Sequence, residues 1–145
     1  MPDEDAPSFI DTNVLLYAYD ASAGTRHDRA ARLVADLAAR RQAATSVQVL
    51  QEFYVNATKK IAEPLAPGLA LDRIRAFSRW PTHVPTARDV FAAASLADEA
   101  QLPFWDAMIV RSAVELRCTV LWSEVLNAGQ HISGVQVRSP FHDPG

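Results

Sequence analysis

The sequence predicts an α/β fold, a small, mainly parallel central sheet layered between helices. Three observations carry that prediction. Short apolar runs alternate with longer segments of helical periodicity along the chain. Acidic residues stand where apolar runs give way to helical pattern, the place where a parallel sheet presents its ligand-binding edge. Hydrophobic residues make up 49% of the 145, enough for one complete core without a disulfide or a structural zinc.

Taken in order, residues 8–10 read as a buried strand ending at Asp11, and 13–19 as a short helix. Ala23 and Gly24 fall in a loop. A longer helix is expected at 27–41, because Ala30, Leu33, Val34 and Leu37 recur at helical spacing. Residues 43–45 form the second strand, and Ser46 is a good N-cap for a helix over 47–61. Glu63-Pro64 and Ala66-Pro67-Gly68 break the chain before a helix at 69–79, which Trp80-Pro81 ends. Residues 83–86 read as a third strand weakened by Pro85. Thr86 caps a helix over 87–101, and 105–116 forms the next. Strands at 119–122 and 135–137 complete the set. One domain is expected over 1–145, with flexible ends at 1–7 and 140–145.

Composition narrows the class. The lone cysteine, Cys118, excludes an intrachain disulfide and a multi-cysteine zinc cluster, and its apolar neighbours make it a core residue. No apolar run approaches the ~20 residues of a membrane span, and the acidic start does not resemble a signal peptide, so a cytoplasmic protein is expected. A net charge of −3 is not that of a strongly basic nucleic-acid binder. Arg40-Arg41, Lys59-Lys60 and Arg73-Arg75-Arg79 read as solvated helix faces. Five glycines and no Gly-x-Gly-x-x-Gly argue against dinucleotide binding. No histidine shows a pairing pattern; His27 reads as a surface residue near the start of a helix.

The candidate chemistry lies in four acids at element junctions. Asp11 ends the first strand, with Thr12 and Asn13 on the same turn. Glu52 follows Ser46 on the third helix, among apolar neighbours. Asp106 begins a helix beside Phe104 and Trp105, both read as core. Glu124 follows Ser123 after the strand at 119–122. Each acid alone could serve its helix as a cap or a partner for the helix dipole. Together they point to a divalent cation, since converging carboxylates repel by about 4 kcal/mol per pair at an effective dielectric near 20. Magnesium and manganese suit an all-oxygen donor set, and phosphate-ester chemistry follows. A phosphatase of the haloacid dehalogenase pattern needs a second aspartate two residues after the first, where Asn13 stands.

Four blocks carry a resemblance: Phe9-Ile10-Asp11-Thr12-Asn13-Val14-Leu15; Ser46 through Tyr54 around Glu52; Pro103-Phe104-Trp105-Asp106-Ala107; and Leu121-Trp122-Ser123-Glu124 with Asn127-Ala128-Gly129-Gln130. In order and spacing they resemble the PIN-domain ribonucleases, specifically VapC-type toxins of bacterial toxin–antitoxin pairs. The resemblance covers nearly the whole chain. It implies a three-layer α/β/α fold, a magnesium or manganese cleft, endonucleolytic cleavage of single-stranded or structured RNA, a homodimer and an inhibitory antitoxin. It places Asp11, Glu52 and Asp106 as the core acids and Asn13 and Ser46 as polar support, with Thr12 and Ser123 beside them. Toxins of this group read Ser-Glu-Asp-Leu at the fourth block, with the aspartate as fourth acid; here the run is Ser123-Glu124-Val125-Leu126. Val125 cannot bind metal, and Glu124 is the candidate substitute. Two readings follow, a nuclease with weakened metal affinity or a PIN-fold protein that binds RNA or its antitoxin without cutting.

Overall fold

A computed structural model describes residues 6–142. The strands are β1 (Ser8–Ile10), β2 (Ala43–Ser46), β3 (Thr82–His83), β4 (Val120–Trp122), β5 (His131–Ile132) and β6 (Val135–Arg138). The helices are α1 (Thr12–Ala18), α2 (Thr25–Ala39), α3 (Val47–Lys59), α4 (Pro67–Phe77), α5 (Ala87–Ala100) and α6 (Phe104–Glu115). The strands form one sheet in the order β3-β2-β1-β4-β6-β5. Every pairing is parallel except β5 with β6.

This is the expected mixed α/β sheet with helices packed on it. β1 lies between β2 and β4, so the ends of β1 and β4 are neighbours: Phe9 stands beside both Ala44 and Leu121, and Ile10 beside Trp122. Phe9, Ile10, Leu121 and Val137 are buried completely, as strands covered on both faces require. Phe53, Phe77, Tyr19 and Trp80 form an aromatic cluster, with Phe53 and Phe77 edge to face at 5.1 Å. Ala93, Ala107 and Met108 make a smaller core between α5 and α6.

Four features differ from the sequence expectation. β3 holds only Thr82 and His83; Val84 and Pro85 lie outside it, since proline has no N–H for the ladder. β5 was not expected. Ser133 and Gly134 both have positive φ, 52° and 83°, and turn the chain back so that Ile132 faces Val135. That pair of left-handed residues is what a two-residue hairpin requires. The stretch after Ser123 is a run of bends and turns, not a helix, so Glu124 serves no helix dipole. Finally, of the expected flexible ends, residues 1–5 and 143–145 lie outside the described residues, but Phe141 is docked. Its ring meets Tyr17 edge to face at 5.2 Å, and its carbonyl accepts from Arg29 at 3.1 Å.

Candidate functional site

Asp11 occupies the step from β1 into α1. It is the N-cap residue of α1 in extended conformation, and its Oδ1 accepts from the Thr12 N–H at 2.8 Å. The capping role anticipated as an alternative is therefore real, but it uses one oxygen. Oδ2 accepts from the Ser123 hydroxyl at 2.9 Å and from the Asn13 amide at 3.2 Å. Ser123 reaches it because β4 is the neighbour of β1, and the Asp11 N–H is itself bonded to the Trp122 carbonyl at 2.9 Å.

Glu52 approaches from α3. Its Oε2 accepts from the Thr12 hydroxyl at 3.4 Å and its Oε1 from the Gln48 amide at 2.9 Å. The same Gln48 nitrogen donates to the Trp105 carbonyl at 3.2 Å, tying α3 to the first turn of α6. Asp106 stands in that turn, and among the described residues it makes no side-chain hydrogen bond. Asp11, Glu52 and Asp106 thus line one cleft of about 270 Å³, together with Thr12, Asn13 and Val125. No lysine or arginine is on its wall.

The electrostatics follow from that enclosure. Burial pushes the Asp11 carboxyl up to about 6 against the Ser123 and Thr12 hydrogen bonds, and the charges of Glu52 and Asp106 push the same way. Burial also raises Asp106.

The remaining candidates divide. Ser46 is fully buried, and its hydroxyl caps α3 by accepting from the Val49 N–H at 3.3 Å; it is not on the cleft wall. Glu124 gives its backbone N–H to Asn13 Oδ1 at 2.9 Å, but its carboxylate pairs with Arg26 and is not on the wall either. Val125 is on the wall and 62% exposed. Successive residues of an extended turn point in different directions, and here position 125 faces the acids while position 124 faces α2.

Trp105 corrects a sequence expectation. It is not core but 65% exposed at the cleft, with Phe104 edge-on behind it at 5.2 Å. Gln48 is a residue the sequence reading missed; its spacing of four from Glu52 on one helix was the available signal. His27 is tied to the Tyr17 carbonyl at 2.9 Å. His83 does have partners, Ser112 at 2.7 Å and Asp89 at 3.2 Å. Burial alone would raise the Asp89 carboxyl, but the Thr86 N–H, Arg111 and His83 outweigh it and hold it at about 2.

The cleft residues fit a hard divalent cation. They offer carboxylate and amide oxygens, and a buried aspartate with a raised pKa lacks a positive neighbour. Their ligand atoms are not drawn within 4.8 Å of one another as a trio, unlike those of His83, Asp89 and Glu115. A cation that keeps several of its waters, as magnesium does, suits this looser spacing. The His83 trio is a poorer host, because Arg111 already bonds both Asp89, at 2.9 Å, and Glu115, at 2.6 Å.

Comparison with known proteins bears on the fold that carries this cleft. The family described as PIN domain matches residues 8–124. No curated protein matches the sequence. Among solved structures, a toxin–antitoxin complex from Klebsiella pneumoniae superposes with a TM-score of 0.67 at 23% identity, over 94% of this chain and 99% of that one. A DNA-bound VapBC from Salmonella typhimurium gives 0.63 at 18%, over 93% and 98%. A sarcin–ricin-loop-cleaving VapC toxin of Mycobacterium tuberculosis gives 0.58 at 19%, over 79% and 86%. At these identities the likeness is one of fold.

Proposed function

The chain belongs to the PIN-domain family, and from that footing we propose that it is a divalent-metal-dependent endoribonuclease, the toxin of a toxin–antitoxin pair. The observation that carries the reading is the convergence of Asp11, Glu52 and Asp106 from β1, α3 and α6 on one cleft with no basic residue. The solved structures of like fold include toxin–antitoxin complexes, which supports an antitoxin partner. A homodimer and a cytoplasmic location belong to the same proposal. Among the described residues no helix is long and apolar enough to cross a membrane.

Asp11, Glu52 and Asp106 would hold magnesium or manganese. When bound, the cation supplies charge that activates water and offsets the phosphate. The chain's own residues do the positioning. Ser123 and Asn13 fix one oxygen of Asp11, while Thr12 and Gln48 fix the two oxygens of Glu52. Trp105, exposed beside Asp106, offers a face on which a base can stack.

The test is cleavage of single-stranded and structured RNA by antitoxin-free protein with magnesium or manganese, beside Asp11→Asn and a chelator control. Cleavage that vanishes in both controls is the expected result. The presence of Val125 on the wall favours the second reading, a protein that binds without cutting. Val125→Asp separates the two: it is expected to lower the metal concentration for half-maximal cleavage roughly tenfold, the effect of about 1.4 kcal/mol. No cleavage by either protein, both folded, leaves the binding reading.

A further inference from the structure

The turn after β4 has no regular structure over residues 123–126, yet Asp11 depends on it. Ser123 donates to Asp11 Oδ2 at 2.9 Å, and the Asn13 amide donates to the same oxygen at 3.2 Å. Asn13 is turned that way by the Glu124 N–H, which donates to its Oδ1 at 2.9 Å. The Val125 and Leu126 N–H groups close on the Ser123 hydroxyl at 3.2 and 3.4 Å. These bonds lie within the turn or on its cleft side.

Arg26, in the first turn of α2, grips the outer side by pairing with the Glu124 carboxylate. Its guanidinium lies over the Phe141 ring, 4.8 Å from the centroid, and over the Tyr17 ring at 5.5 Å. Those two rings meet edge to face at 5.2 Å, which ties the seat of the arginine to α1 and to the chain after β6. A positive charge in that first turn faces the positive end of the helix dipole, so the residue does not serve α2. What it does serve is the turn that orients Asp11.

We propose that Arg26 is a positioning residue for the cation cleft. The ion pair pins the turn, the pinned Glu124 N–H sets the Asn13 amide, and Asn13 with Ser123 holds Asp11 in one orientation. Glu124 thus acts through its backbone and its partner, with its carboxylate off the cleft wall. The inference rests on the metal reading of Asp11, Glu52 and Asp106. A guanidinium seated on two rings is not interchangeable with an ammonium, so lysine should fill the role only in part.

The test uses the full chain with Arg26→Gln, Arg26→Lys, Glu124→Gln and the double variant Arg26→Gln/Glu124→Gln. None of its readouts needs cleavage. In metal-free protein, backbone amide exchange at 124–126 is expected to rise roughly fivefold in Arg26→Gln, the combined size of a half-exposed ion pair and a cation–π contact. Exchange in β1 should not change. Melting without metal should stay within about 2 °C of the parent, because the relieved helix dipole offsets the lost pair. Calorimetric titration with manganese should show roughly fivefold weaker binding in Arg26→Gln and in Glu124→Gln. The loss should be smaller in Arg26→Lys, and the double variant should lose no more than either single, since the two act as a pair. Manganese affinity equal to the parent's, or additive losses in the double variant, would overturn the proposal. So would a lowered melting temperature with exchange at 124–126 unchanged. Tighter binding in Arg26→Gln would overturn it in another way, by showing that the freed Glu124 carboxylate turns into the cleft as a ligand. A parent that binds no manganese would sink the metal reading itself, and the exchange data would then still decide whether Arg26 holds the turn.

Discussion

Asp11 caps α1, accepts from Ser123 and Asn13, and sits beside Glu52 and Asp106 with almost no contact with water. Its carboxyl is raised from 3.8 to about 6. An acid whose folded pKa lies above its unfolded value gives stability that is present below the unfolded value and lost as pH rises through the folded one. Stability from this residue should therefore fall between about pH 4 and pH 6, by roughly 3 kcal/mol in all at 1.36 kcal/mol per pH unit. Denaturant unfolding in the absence of divalent cation, across pH 4–7, checks this. Asp11→Asn should remove that component of the pH dependence, whatever it does to the baseline. A parallel pH profile in the two proteins would show that Asp11 is ionised in the fold without penalty. Such a penalty, tolerated at the step from β1 into α1, is the physical mark of a residue kept for something other than folding.

At the scale of elements, local chemistry starts and stops several of the helices. Ser46 caps α3, and Thr86 with Asp89 forms a capping box on α5. The C-terminal ends are less usual. Arg41 after α2 and Arg117 after α6 take φ of 58°, a place where glycine is the common choice. Both ends make the paired closing bonds of a helix that stops on a left-handed residue: Gln42 to the Leu37 carbonyl at 2.9 Å, and Cys118 to the Ala113 carbonyl at 2.9 Å. A side chain at such a φ costs about 1–2 kcal/mol, which glycine avoids while losing somewhat more chain entropy. Arg117→Gly is accordingly expected to raise stability by roughly 0.5–1 kcal/mol, or the melting temperature by about 2–4 °C, with cleavage activity retained. A lower melting temperature would show that the exposed Arg117 side chain contributes more than its backbone costs.

Over the whole molecule, charge is divided between two regions of one sheet edge. The acids at the end of β1 and on α3 and α6 face a cleft without a basic residue, and a groove along α2 and β6 is lined, among the described residues, by Arg29, Arg32 and Arg138 and no acid. A cation that binds the folded cleft and not the unfolded chain stabilises by mass action, about 2.7 kcal/mol at a hundredfold excess over its dissociation constant. Thermal melting with and without magnesium or manganese should show an upward shift in the parent and little or none in Asp11→Asn. An equal shift in both proteins would place the cation elsewhere, with the His83, Asp89 and Glu115 group the next to mutate.

The alternation of apolar runs and helical periods was enough to name the class of fold, the order of its elements apart from β5, and four acids to watch, Asp11, Glu52, Asp106 and Glu124, of which the family resemblance singled out the first three. Local propensity and hydrophobic period write those features directly into the chain, and element ends fall where caps and prolines stand. The Ser133-Gly134 turn was legible in principle, but a hairpin with a two-residue first strand leaves too little alternation to notice. Other features depend on which side of the backbone a residue faces after packing, and no local pattern encodes that. The sequence could not say that Val125 would face the acids while Glu124 turned to Arg26, or that Trp105 would stand in solvent. Nor could it say that Arg138 would meet Arg29 and Arg32 across a groove. Those are relations between elements, set by the order β2-β1-β4-β6 and the helices laid on it, and only the tertiary structure decides them.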